Sequence, residues 1–181
     1  MESVSSMREK YVLYGVDNYY KNNCMEYKNP HEYMIKKLLV KNIDKFNSTN
    51  VLDLCCGGGE VTLALLENNI NNIRGSDAYT YRLYEKNTNK ECIKLSFKDI
   101  LRGNMSGHYS TIICSFAFHL IKEKNLLMIV NEIFRHTDKL ILITPHKRPF
   151  ISKINGIELE YLDYSLTTRG KRVYFKLYNK I

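Results

Sequence analysis

The stretch Val51-Leu52-Asp53-Leu54-Cys55-Cys56-Gly57-Gly58-Gly59-Glu60 has the clearest capacity for chemistry. A short apolar run carrying one acid breaks into a glycine-rich turn and leads into VTLALL, which reads as a helix. Glycines in a strand-to-helix turn let a ligand approach the backbone, and the helix start presents unpaired N–H groups. Asp53, just before the glycines, would repel a phosphate beside it but can help orient an ammonium-bearing ligand through water or backbone contacts. Asp77 ends a second candidate strand 24 residues later. An acid at that place in a doubly wound fold accepts hydrogen bonds from ribose hydroxyls. Asp99 stands at the end of a third strand and could accept the exocyclic amine of adenine, with Ile100 packed on the ring. A nucleoside-bearing ligand fits these features together.

The elements that must hold these residues are short and alternate in type. Apolar runs at 51–54, 73–76, 93–97, 110–115 and 140–143 predict strands. Helices are predicted after Asn29 and Pro30, after the glycine turn, at 79–86 and at 122–135. Nearly continuous apolar strands alternating with helices predict a mainly parallel sheet covered on both faces. Residues 157–165 and 172–178, joined through TTRGK, predict an antiparallel hairpin added to it. The expected architecture is an α/β fold with a seven-stranded, mostly parallel sheet, a C-terminal antiparallel hairpin and helices on both faces. Residues 1–30 read as a turn-rich arm or lid, and residues 31–181 as one domain.

Bulk properties narrow the class. At 181 residues the chain suits one domain with a sizeable core. No run approaches the roughly 18 to 20 apolar residues of a membrane span, and the first residues lack the apolar block of a signal peptide. The expectation is an intracellular protein, cytoplasmic or nuclear, with no membrane partner. Five scattered cysteines without CxxC spacing predict reduced thiols and no metal site. The formal charge of +8 admits two explanations: attraction to a polyanion such as nucleic acid, or the compositional bias of a chain crowded with Asn, Lys, Ile and Tyr.

With these residues in view, the chain resembles the class I, Rossmann-like S-adenosylmethionine-dependent methyltransferases. VLDLCCGGG is similar to that family's first motif, a strand, an acid and a Gly-x-Gly-x-Gly turn. The resemblance implies S-adenosylmethionine as cofactor, with Asp53, Cys55, Gly57 and Gly59 near its amino-acid end. It also implies Asp77 on the ribose and Asp99 and Ile100 on the adenine; Ser115 and Phe116, after the fourth strand, are further candidates, with Phe116 on the adenine, on the acceptor or in the core. Cys55 departs from the pattern, standing where the family has its first glycine. A small side chain is tolerated there if the backbone does not need a left-handed conformation.

A sulfonium is already an activated donor, so a base is needed only if the acceptor must lose a proton during attack. Acceptor-side groups belong at the carboxyl ends of the strands. The candidates are His119 after the fourth strand, His146, Lys147 and Arg148 after the fifth, and Tyr19, Tyr20, Tyr27, Asn29 and His31 in the arm. His119 is either a base or a packed helix-start histidine. The HKR cluster is either a phosphate-holding group or a solvated loop. The tyrosines either stack on a base or anchor the arm. No Asn-Pro-Pro-Tyr sequence follows the fourth strand, which argues against the subgroup that uses it for exocyclic amines and glutamine amides. RNA is the leading expected acceptor. Small-molecule or protein methylation, a non-catalytic cofactor-binding subunit, a nicotinamide oxidoreductase and a substrate-recruiting partner protein are the alternatives.

Overall fold

The computed structural model describes residues 7–181. In chain order the elements are α1 (Met7–Tyr14), α2 (Val16–Asn23), α3 (Glu32–Lys41), β1 (Val51–Leu54), α4 (Glu60–Leu66), β2 (Ile73–Ser76) and α5 (Tyr81–Thr88). They continue as β3 (Cys92–Ile93), α6 (Phe97–Leu101), β4 (Thr111–Ser115), α7 (Glu123–Ile133), β5 (Lys139–Thr144), β6 (Ile157–Leu166) and β7 (Arg172–Lys180). The seven strands form one sheet in the order β3-β2-β1-β4-β5-β7-β6. β1 to β5 run parallel, and β7 inserts antiparallel between β5 and β6.

Strand periodicity divides the core in two. Leu52, Leu54, Ile112, Cys114, Leu140 and Leu142 face Ile100 of α6 and Ile129, Val130 and Ile133 of α7. Val51, Ile113, Ile141 and Ile143 face Ile35, Leu38 and Leu39 of α3 and Val61, Ala64 and Leu65 of α4. Because both faces are covered, the central strands are apolar at nearly every position. Asp53 is the exception in β1 and lies on the α4 side, where Thr62 donates to its Oδ2 from both backbone N (3.2 Å) and Oγ1 (2.8 Å). Strand order reverses between β1 and β4, so a crevice opens at their carboxyl ends.

Four local expectations are corrected. The arm is not turn-rich: it forms α1 and α2, with Gly15 between them. Asn29 does not cap a helix starting at Pro30; its side chain accepts from His31 N–H at 2.9 Å, and α3 begins at Glu32. The helix expected at 79–86 is α5, beginning at Tyr81, because Asp77 first closes a turn onto Tyr79 and Thr80. The third strand ends at Ile93, well short of Phe97, because Ser96 and Asp99 make a capping box that starts α6.

Gly75 in β2 shows why this strand carries a glycine. A Cβ there would sit 2.4 Å from Cζ of Tyr84, whose ring lies on the strand. Gly75→Ala is expected to cost roughly 1–3 kcal/mol through overpacking. Urea unfolding would show this as a lower midpoint with an unchanged slope.

Candidate active site

The end of β1 turns sharply. Cys55 has φ 56 and Gly57 φ 57, both left-handed. The condition under which a side chain at Cys55 would be free of strain is therefore not met. Phe116, just past β4, has φ 53. Non-glycine residues held in this region cost on the order of 1–3 kcal/mol each and cluster at functional sites. Cys55 follows β1 and Phe116 follows β4, so both flank the switch point and line the same cavity.

Asp77 locks the glycine turn. Its Oδ2 accepts from Gly57 N–H at 3.3 Å, and its Oδ1 accepts from the N–H groups of Tyr79 and Thr80 at 2.8 and 2.9 Å. A carboxylate offers about four acceptor positions, so Oδ2 keeps one for a hydroxyl donor. The turn is braced from outside by Glu60, whose carboxylate accepts backbone N–H bonds from itself, Gly58 and Asn29. Burial pushes the Glu60 carboxyl up to about 7. Its position directly after the glycines is the one local signal for that role.

A cavity of about 520 Å³ opens beside this turn. Cys55, Gly57, Asp77, Ser115 and Phe116 line it, as do Leu95, Ser96, Phe97, Leu120 and Ile121. Gly15, Asn18 and Tyr27 reach it from the arm. Its size falls within the range of about 300–1,000 Å³ usual for ligand pockets. One acceptor on Asp77, a glycine turn open to close approach and a flat apolar wall suit the ribose, amino-acid end and adenine of S-adenosylmethionine.

Other expected cofactor residues lie elsewhere. Asp53 is fully buried beneath the turn, bound to Thr62, and burial holds its carboxyl well above the usual range. Gly59 caps α4 with φ 94, and a Cβ on it would meet Thr88 Cγ2 at 2.5 Å, so it serves helix packing. The carboxylate of Asp99 binds Ser96 N–H at 2.9 Å and Ser96 Oγ at 2.5 Å. Ile100 is buried in the core. The structure thus puts Ser96 and Phe97 on the wall in the places expected for Asp99 and Ile100. The Ser-x-x-Asp spacing was the local signal for that cap.

On the acceptor side, the rings of His119 and His146 come within 4.9 Å of each other. His31 stacks on Phe116 at 4.5 Å with an interplanar angle of 12°. Burial, and secondarily His146, lowers His119 to about 4, and its buried Nδ1 has no hydrogen-bond partner among the described residues. Lys147 and Arg148 are exposed in the loop after β5. Tyr20 lies in α2, and its side chain is outside the described residues. The five cysteines are free thiols. The hydrogen bond to Cys114 and burial push the Cys55 thiol up, and burial does the same at Cys56, so neither is a thiolate nucleophile at neutral pH.

Residues 35–143, more than half of the chain, match the methyltransferase small domain family. The chain belongs to that family, and is a class I, Rossmann-like methyltransferase that uses S-adenosylmethionine. An uncharacterized protein of Schizosaccharomyces pombe is 29% identical over 189 residues, spanning 80% of this chain and 76% of its own. Magnesium protoporphyrin IX methyltransferase (ChlM) of Synechocystis, solved with bound S-adenosylmethionine, has a TM-score of 0.68 over 100% of both chains at 13% identity. A protein of Pyrococcus horikoshii, whose assignment as an RNA methyltransferase is provisional, has a TM-score of 0.61 at 13% identity over 85% of this chain and 91% of its own. These solved relatives share the fold and differ in acceptor, so they do not single out RNA.

Asp77→Ala is expected to weaken S-adenosylmethionine binding about 10- to 100-fold, the loss of a hydrogen bond to a charged group, as read by titration calorimetry. His119 gives a second outcome. Its folded value near 4 lies below the ordinary 6.5, so the unfolded chain takes up the proton first. Its contribution is complete above pH 6.5 and is lost as pH falls towards 4. The stability of wild type relative to His119→Asn, measured by denaturant titration across that window, should therefore fall with decreasing pH; a flat difference would contradict the buried, neutral histidine.

Proposed function

We propose that the protein methylates a nucleobase in RNA. The observation that carries this reading is the loop after β5, which sets His146 against His119 and leaves Lys147 and Arg148 exposed at the same edge of the sheet. The +8 charge of the chain favours a polyanion there. Arg148 can hold a phosphate bidentately and Lys147 adds a point charge. The flat His31–Phe116 pair offers a planar surface for a base beside the cavity.

When bound, S-adenosylmethionine supplies an activated methyl group on a sulfonium. The residues of this chain then have to hold the acceptor and let its proton leave. His119, held neutral by burial, packs against His146 and so steadies the loop that would hold the acceptor. Its lowered basicity suits orientation better than proton removal ahead of attack.

A small-molecule acceptor is the competing reading. It is favoured by the apolar wall of Leu95, Phe97, Leu120 and Ile121, by the arm residues that close over the cavity, and by full-length similarity to a porphyrin methyltransferase. Labelled methyl transfer into fractionated RNA, protein and metabolites decides between them. The RNA reading expects label in RNA, reduced about tenfold in the Lys147→Ala, Arg148→Ala double variant, on the scale of one lost charge-assisted contact. Label confined to metabolites or protein would overturn it and leave the methyltransferase intact.

A further inference from the structure

β6 is the edge of the sheet, and one face of it is left open. Tyr161 and Asp163 pair with Leu177 and Phe175 on the side packed by α3. Leu162, Tyr164 and Leu166 point the other way, opposite Lys176, Tyr174 and Arg172 of β7, and are 50%, 44% and 54% exposed. Such a face on an edge strand is unusual unless something lies on it.

Its chemistry is specific. The Arg172 guanidinium sits 4.6 Å from the centre of the Tyr164 ring. The Tyr164 ring stands 6.3 Å from that of Tyr174, and Tyr174 and Lys176 are themselves buried, 9% and 5% exposed, and support the face from beneath. The turn between the strands adds exposed Arg169 and Lys171. Among the described residues none of these cations has a carboxylate partner. The strand beneath the face is joined to the loop after β5. Tyr174 pairs with Thr144 at the end of β5, and the Lys176 amine donates to the carbonyl of Lys147.

We propose that this outward face of the β6–β7 hairpin docks single-stranded RNA and leads the strand to the loop after β5; the proposal rests on the RNA reading above. The exposed Tyr164 ring offers a stacking surface that every unpaired base can use, and Arg169, Lys171 and Arg172 take the phosphates. A paired helix would hide its base faces from that ring.

The test is binding of a short fluorescent uridine homopolymer, followed by anisotropy at several salt concentrations. The Tyr164→Ala, Arg172→Ala double variant is expected to bind about 10- to 100-fold more weakly, the loss of one stacked base and one phosphate contact. Its salt slope should fall by about one. Tyr164→Phe with Arg172→Lys keeps ring and charge and should retain most of the affinity. S-adenosylmethionine binding, whose cavity lies elsewhere, reports that each variant is folded. If wild type binds the oligomer and labels RNA but the alanine variant binds equally well, the docking face is wrong and the RNA reading stands. If wild type neither binds nor labels RNA, both fall. A wild-type dimer in sedimentation that the alanine variant abolishes would assign the face to a second copy and overturn the proposal.

Discussion

One carboxylate, that of Asp77, holds together two segments that come from different strands. It takes the N–H of Gly57 from the turn after β1 and those of Tyr79 and Thr80 from the turn after β2. Without it the glycine turn would keep its own backbone bonds, such as Gly59 N–H to Cys56 O, but lose its fixed distance from β2. The cavity wall, the start of α5 and the exposed acceptor position on Oδ2 all depend on that one bridge.

Beneath the bridge lies a buried polar chain. Asp53 binds Thr62, and Thr62 Oγ1 lies 3.0 Å from the Tyr84 hydroxyl. Tyr84 in turn closes onto Gly75 of β2. β1, α4, α5 and β2 are thereby joined through side chains that have almost no contact with water. Burying such groups is costly unless they are hydrogen-bonded; here Asp53 Oδ2, Thr62 and Tyr84 bond one another, while Asp53 Oδ1 has no partner among the described residues. Asp53 therefore acts on the site from below, by holding the first turn of α4.

The site stores strain where its two central strands end. Cys55 and Phe116 both adopt left-handed backbone, and each packs into its surroundings: Cys55 against the core on the α6/α7 side, Phe116 against His31. Glu60, by the glycine turn, and His119, by the loop after β5, shift in opposite directions. Burial raises the acid to about 7 and lowers the base to about 4. Both shifts favour the neutral form. As pH rises from the ordinary carboxyl value through about 7, Glu60 ionises in the folded protein against its burial and removes stability, while His119 acts in the reverse sense.

The sequence by itself determined the sheet's central strands, the glycine turn, the place of Asp77 and the antiparallel ending, because apolar periodicity and turn chemistry are local properties of neighbouring residues. It also carried the family resemblance that those residues imply. The helices of the arm are hidden from local pattern, since α1 has little apolar periodicity and α2 is short and polar overall. β3 was overextended because apolar character at Leu95 and Phe97 reads the same in a wall as in a strand, while the cap at Ser96 and Asp99 went unread. Only the tertiary structure decided that Asp53 works from below the turn, that Glu60 braces it, that His119 meets His146, and that one face of β6 stays open. Those contacts join residues distant in the chain, and their geometry is set by strand order and by which side of a strand faces a helix, quantities that no local pattern contains.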